Sequence, residues 1–108
     1  MSIQTESPEI LLLIPAYNEE ARIGPVLAEY AEYFRECYAG EFSIVVVLNG
    51  CEDNTLGVVQ AAQKEHPEIR YLNYEEPIGK GGALIEGLHH FHEADYIGYV
   101  DADGATQP

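Results

Sequence analysis

Two aspartates with one alanine between them, Asp101 and Asp103, close the apolar run "YIGYV". Side chains alternate along an extended chain, so residues two apart point the same way, about 6.5–7 Å apart along the backbone. Two carboxylates aimed into one cleft repel each other unless a cation or proton sits between them. Hard oxygen donors of this kind suit Mg2+ or Mn2+ rather than zinc. Two carboxylates are too few for a full cage, so the other coordination positions fall to water and to phosphate oxygens of a ligand. A bare DxD is also a common acidic turn. Its place directly after a buried run favours ligand binding, because open α/β sheets bind ligands beyond the carboxyl ends of their strands.

Three other stretches carry polar chemistry. In "PAYNEE", Tyr17 offers an aromatic face to a stacked ring. Asn18 and Glu19 can bond ring edges or ribose hydroxyls. The same stretch taken alone also reads as an Asx-type turn. In "GKGG", glycines allow close backbone approach and the helix they open favours anions at its amino end, with Lys80 adding charge. Phosphate contact and helix docking fit this stretch equally. It is no Walker A loop, since no Gly lies four residues ahead of Gly79 and no Ser or Thr follows Lys80. "HHFH" places His89 and His92 three apart on a helix, but without a third ligand these read as surface histidines.

The elements that position these residues alternate regularly. Ile10–Ile14 is an aliphatic run suited to a strand buried on both faces. Gly24-Pro25 predicts a helix start, with Leu27, Tyr30, Phe34 and Cys37 or Tyr38 as its apolar stripe and Gly40 as a left-handed terminator. "SIVVVL" (43–48) is the second strand, and Asp53, Asn54 and Thr55 are candidate caps for a helix running to Glu65, before Pro67. "IRYLN" (69–73) is a third strand. Residues 79–94 form a third helix with Leu84, Leu88 and Phe91 on one face, and residues 96–100 a fourth strand. The result is a Rossmann-like β-α-β-α-β-α-β unit with a mostly parallel sheet and helices on both faces. All four polar stretches, "PAYNEE", "NGCEDNT", "YEEPIGKGG" and "DADGATQP", then fall at one edge.

A chain of 108 residues is one domain at most. Five Lys and Arg against 19 Asp and Glu give a net charge of −14, which excludes a nucleic-acid face and opposes docking on anionic lipid. Fifteen of those acids are Glu, consistent with solvated helix faces. Cys37 and Cys51 have no CxxC or metal spacing and read as reduced thiols of a cytoplasmic protein. No leader or spanning run occurs in these residues, so the expectation is a cytoplasmic location, and any membrane association would belong to a longer parent protein.

Together, "LLLIPAYNEEARI", "IVVVLNGCEDNT", "GKGGALIEGL" and "ADYIGYVDADGATQP" resemble the family 2 glycosyltransferases of GT-A fold, in the branch that makes dolichyl- or polyprenyl-phosphate sugars. The resemblance covers nearly all of the chain. It implies that residues 1–108 are the nucleotide-sugar-binding half of the domain, ending after the DxD motif. Pro15, Tyr17 and Glu19 would line the base and ribose of a UDP- or GDP-sugar. Asp101, Ala102 and Asp103 would hold the ribose–diphosphate and its Mg2+ or Mn2+, with Asp103 favoured as direct ligand. Transfer to an acceptor such as a polyprenyl phosphate would invert the anomeric centre. Where the family has "DDGS", this chain has "LNGC", leaving Asn49 to read the base with altered preference. The family's general base lies downstream of the DxD motif, which here means beyond Pro108. The expectation is therefore a chain that binds but does not transfer. A non-catalytic module completed by a partner chain is the alternative, since a half-sheet leaves an edge open to pairing, including with a second copy. A nucleotidyltransferase would carry a Gly-rich loop after the first strand, and "PAYNEE" has no glycine.

Overall fold

The computed structural model describes residues 8–90 and 94–100. Strands and helices alternate: β1 (Ile10–Ala16), α1 (Ile23–Cys37), β2 (Phe42–Asn49), α2 (Thr55–Glu65), β3 (Ile69–Tyr74), α3 (Gly79–His90) and β4 (Tyr96–Tyr99). The strands form one sheet in the order β3-β2-β1-β4, and every pairing is parallel. The α/β architecture is the expected one.

The period of two explains how the sheet is covered. Leu12, Ile14 and Ala16 of β1 and Ile44, Val46 and Leu48 of β2 face one way, into a core with Ile23, Leu27, Tyr30 and Ala31 of α1 and Val59 of α2. Leu11, Leu13, Val45 and Val47 face the other way, towards Ala83 of α3. Both central strands are therefore apolar at nearly every position, as strands covered on both faces must be. Two crossovers in one direction put α1 and α2 on the same face. The return crossover through α3 puts that helix on the opposite face, as right-handed connections require.

Local details differ from the sequence-based expectation in three places. α1 begins at Ile23, two residues before Pro25, because Arg22 and Ile23 both donate backbone N–H bonds to the Glu19 carbonyl and start the turn early. Pro25 still loses nothing there, since the first four helical amides have no intrahelical partner. Gly40 does not terminate α1 in a left-handed conformation. The helix ends on an extended Tyr38, whose N–H bonds the Phe34 carbonyl and whose hydroxyl donates to the Pro8 carbonyl, while Cys37 is exposed.

The third difference concerns α3. Its sheet-facing residues are Ala83 and Gly87, not the expected leucine stripe. A Cβ on Gly87 would lie 2.7 Å from Leu13 Cδ2, so the helix rests on β1 at glycine distance. Leu84 packs at the margin of this core, Leu88 is exposed, and Phe91 lies outside the described residues.

Candidate functional site

The chain order across the sheet reverses between β1 and β4, which are direct neighbours. Such a switch point opens a crevice beyond the carboxyl ends of the two strands. The Val100 amide donates to the Leu13 carbonyl at 3.1 Å, keeping β4 on β1 up to the residue that precedes Asp101 in the chain. Asp101, Ala102 and Asp103 themselves lie outside the described residues. So does Pro108, the residue beyond which the general base is expected. On the β1 side, Pro15 is half-buried and Tyr17 stands 54% exposed, directly after the last strand residue.

Past Ala16 the backbone leaves the ladder and needs other partners. Three consecutive amides of this loop are met by side chains of the β2–α2 loop and of the first residue of α2. Asn18 N donates to Cys51 Sγ at 3.4 Å, Glu19 N to Thr55 Oγ1 at 2.9 Å and Glu20 N to Asp53 Oδ2 at 3.2 Å. The exchange is reciprocal. Glu52 N and Asp53 N donate to Asn18 Oδ1 at 2.7 and 3.3 Å, and Asn54 N donates to Glu20 Oε1 at 3.0 Å. Asn18 takes a positive φ of 52°, a conformation that Asn tolerates better than most residues. Thr55 is fully buried, and its hydroxyl donates to Asp53 Oδ1, which also accepts Thr55 N at 3.0 Å. Asp53 thus caps α2 from one residue before Asn54, whose own side chain makes no cap bond. The Thr55 hydroxyl bond, with backbone amides assisting, holds the Asp53 carboxyl below the usual carboxylate range.

Glu19 has its carboxylate on Arg22, with Oε1 2.9 Å from Nε and 2.7 Å from the terminal guanidinium nitrogen. The expected ring-facing groups of Asn18 and Glu19 are therefore already bonded within the protein: Asn18 through Oδ1, Glu19 through Oε1.

Asn49 ends β2 as a buried polar residue, and its Oδ1 accepts from Ile78 N at 2.6 Å. Gly50 follows with φ 68°, and its N–H donates to the Tyr74 carbonyl at 2.8 Å. A Cβ at Gly50 would stand 2.8 Å from Pro77 N, so this close approach requires glycine. The end of β2 therefore holds the loop that leads into α3, where Gly79 has φ 78° and Lys80 lies in the first turn. His89 is exposed, His90 stands 3.8 Å from Glu86, and His92 lies outside the described residues.

Among the described residues, no group of three or more His, Cys, Asp or Glu could hold a metal ion. The oxygen-donor chemistry of Asp101 and Asp103 suits a hard divalent ion, and their place after β4 is a property of the sequence. No described helix is long and apolar enough to cross a membrane. The structure brings Pro15, Tyr17, Asn18, Glu19 and Asn49 to one edge of the sheet. Residue patterns alone miss Cys51 and the cross-loop roles of Asp53 and Thr55, because their partners are 33 to 36 residues away in the chain.

The comparisons with known proteins agree with this layout. The family model described as glycosyl transferase family 2 matches residues 12–108. The dolichyl-phosphate beta-glucosyltransferase ALG5C of Trichomonas vaginalis is 42% identical over 99 residues, covering 88% of this chain and 29% of that protein. The dolichyl-phosphate beta-glucosyltransferase of Saccharomyces cerevisiae is 33% identical over 109 residues, covering 94% of this chain and 32% of that protein. Among solved structures, the mannosyltransferase PcManGT from Pyrobaculum calidifontis, in complex with GDP-Man and Mn2+, matches with a TM-score of 0.74 and 25% identity. That match covers 94% of this chain and 31% of the other. The chain spans about a third of the length of the curated relatives it matches. Its sheet is that of the GT-A, Rossmann-like glycosyltransferases, and the chain belongs to glycosyl transferase family 2.

Proposed function

We propose that this chain supplies the nucleotide-binding half of a sugar transferase whose donor is a UDP- or GDP-sugar and whose acceptor is a lipid phosphate such as dolichyl phosphate. The observation that carries the reading is the switch point. β1 and β4 are parallel neighbours, paired as far as Leu13 and Tyr99, with Tyr17 exposed after one and the Asp101–Asp103 pair following the other in the chain. Tyr17 offers its ring face to the base. Pro15 lines the ribose side, and the groups of Asn18, Glu19 and Asn49 not already bonded complete the polar rim. Lys80, in the first turn of α3, lies near an amino end that favours phosphate.

Asp101 and Asp103 would hold Mg2+ or Mn2+, with Ala102 between them. When bound, a divalent ion supplies charge stabilisation to a departing nucleoside diphosphate. The solved relative with GDP-Man and Mn2+ supports that donor class. A glucosyl-3-phosphoglycerate synthase of Mycobacterium tuberculosis solved with Mn2+ and UDP (TM-score 0.68, 25% identity) supports the uridine form. The names of the curated relatives make glucose the first sugar to test and dolichyl phosphate the first acceptor. Inverting transfer needs a base that takes the acceptor proton. We assign that base to the part of the relatives that lies beyond the position matching Pro108.

Calorimetric titration of UDP and GDP, each with and without Mn2+, tests the reading, repeated on Asp103→Ala. The expected result is Mn2+-dependent binding of one nucleotide that is lost in the variant. Indifference to both nucleotides would leave a structural module.

A further inference from the structure

We propose that Thr55 and Asp53 are positioning residues for the nucleoside pocket, a proposal that rests on the nucleotide-binding reading above. The β1–β2 ladder stops at the pair Ala16 and Leu48. Beyond it, no sheet pairing among the described residues holds Tyr17 and the residues after it. Amides 18, 19 and 20 are held instead by side chains of residues 51, 55 and 53, and amides 52, 53 and 54 by side chains of residues 18 and 20. Each loop therefore supplies the hydrogen-bond partners the other lacks. The backbone on either side of Tyr17 is fixed from the neighbouring strand's loop.

Thr55 is the junction of this exchange. Its hydroxyl is the buried atom that accepts from Glu19 N and donates to Asp53 Oδ1, so one group ties the Tyr17 loop to the cap of α2. Removing the hydroxyl while keeping the shape leaves Glu19 N without this acceptor and takes from Asp53 Oδ1 one of its two donors, the Thr55 amide remaining. The loop then loses its fixed place above β1. The effect falls on the base and ribose side, because β4 as far as Val100, held by the Val100 to Leu13 bond, takes no part in the exchange among the described residues.

The test uses the full chain with Mn2+ present. Affinities for UDP, GDP and inorganic pyrophosphate are measured on wild type, Thr55→Val, Thr55→Ser and Asp53→Ala, with circular dichroism to establish folding. Thr55→Val is expected to lose about tenfold in affinity for the bound nucleotide, the worth of roughly one hydrogen bond. Pyrophosphate affinity is expected to stay unchanged, and Thr55→Ser, which keeps the hydroxyl, to bind nucleotide as wild type does. Asp53→Ala, at an exposed position, is expected to shift nucleotide affinity the same way and decides the matter if Thr55→Val does not fold. Wild-type binding with folded variants that keep nucleotide affinity, or that lose nucleotide and pyrophosphate equally, overturns the positioning role alone. A wild type that binds neither nucleotide overturns the functional reading, and this proposal with it.

Discussion

The two faces of the sheet are built differently. On the side of α1 and α2, large aliphatic residues close a core in which Ile14, Ile23, Leu27, Ile44, Leu48, Val59 and Ile69 are fully buried. On the side of α3, the helix approaches through Ala83 and Gly87, while Ile85 and Leu88 point outward and Ile97 and Tyr99 of β4, in register with Leu11 and Leu13, are exposed. Burying a large aliphatic side chain is worth about 1.5–3 kcal/mol, so the first face carries most of the stability. The second face depends on close backbone approach rather than side-chain volume. The candidate site lies along the edge where these two halves meet.

Substitutions that treat the faces alike should therefore give unlike results. Leu27→Ala opens a cavity in the closed face and should cost about 2–5 kcal/mol, read from the shift in urea midpoint. A cost below about 1 kcal/mol would mean that this core is far looser than its burial indicates. Gly87→Ala should cost about 1–3 kcal/mol despite adding apolar surface, because the new Cβ meets the buried Leu13 side chain. A neutral or stabilising result would show that α3 rides loosely on β1, and the contrast between close approach and packed volume would fail.

The acid range gives a smaller effect centred on the loop exchange. Asp53 titrates below its ordinary value of 3.8, chiefly through the Thr55 hydroxyl bond. A carboxyl lowered in the folded state adds stability that is present above the ordinary value and lost as pH falls through the lowered one. The Tm difference between wild type and Asp53→Asn should hold steady at neutral pH and shrink below pH 3.8. Parallel Tm curves throughout the acid range would remove Asp53 from the linkage. Leu88→Ala, on the outward side of α3, should change stability by no more than about 0.5 kcal/mol. A loss like that of Leu27 would mean that something covers this face in solution.

Much of the frame is legible from residue patterns. "ILLLI" and "SIVVVL" read as doubly covered strands because both of their faces are apolar, and the polar stretches fall at one edge because parallel strands all end on the same side. α3 departs from its pattern for a physical reason. Its leucines have helical spacing, but the distance to β1 is set by what a glycine permits, and a small residue gives no hydrophobic signal. The start of α1 shifts because the Glu19 carbonyl, a backbone group, nucleates the first turn. In the site, Asp53 and Thr55 are visible in the sequence only as local caps, since their cross-loop bonds to the "PAYNEE" segment depend on strand register. Asn18 and Asn49 likewise have the chemistry expected of them, but each spends an oxygen on a neighbouring loop.

The central claim is that the crevice between the ends of β1 and β4 gathers a divalent ion together with a nucleotide, and paramagnetic Mn2+ tests it directly. Amide signals would be recorded on labelled protein titrated with substoichiometric Mn2+ in the presence of UDP or GDP. The account predicts selective broadening of Ala16 to Glu19 and of Val100, with the amides of β3 and the outer face of α1 unaffected. Broadening spread over the glutamate-rich helix faces, with the β1 and β4 ends no different from the rest, would contradict it.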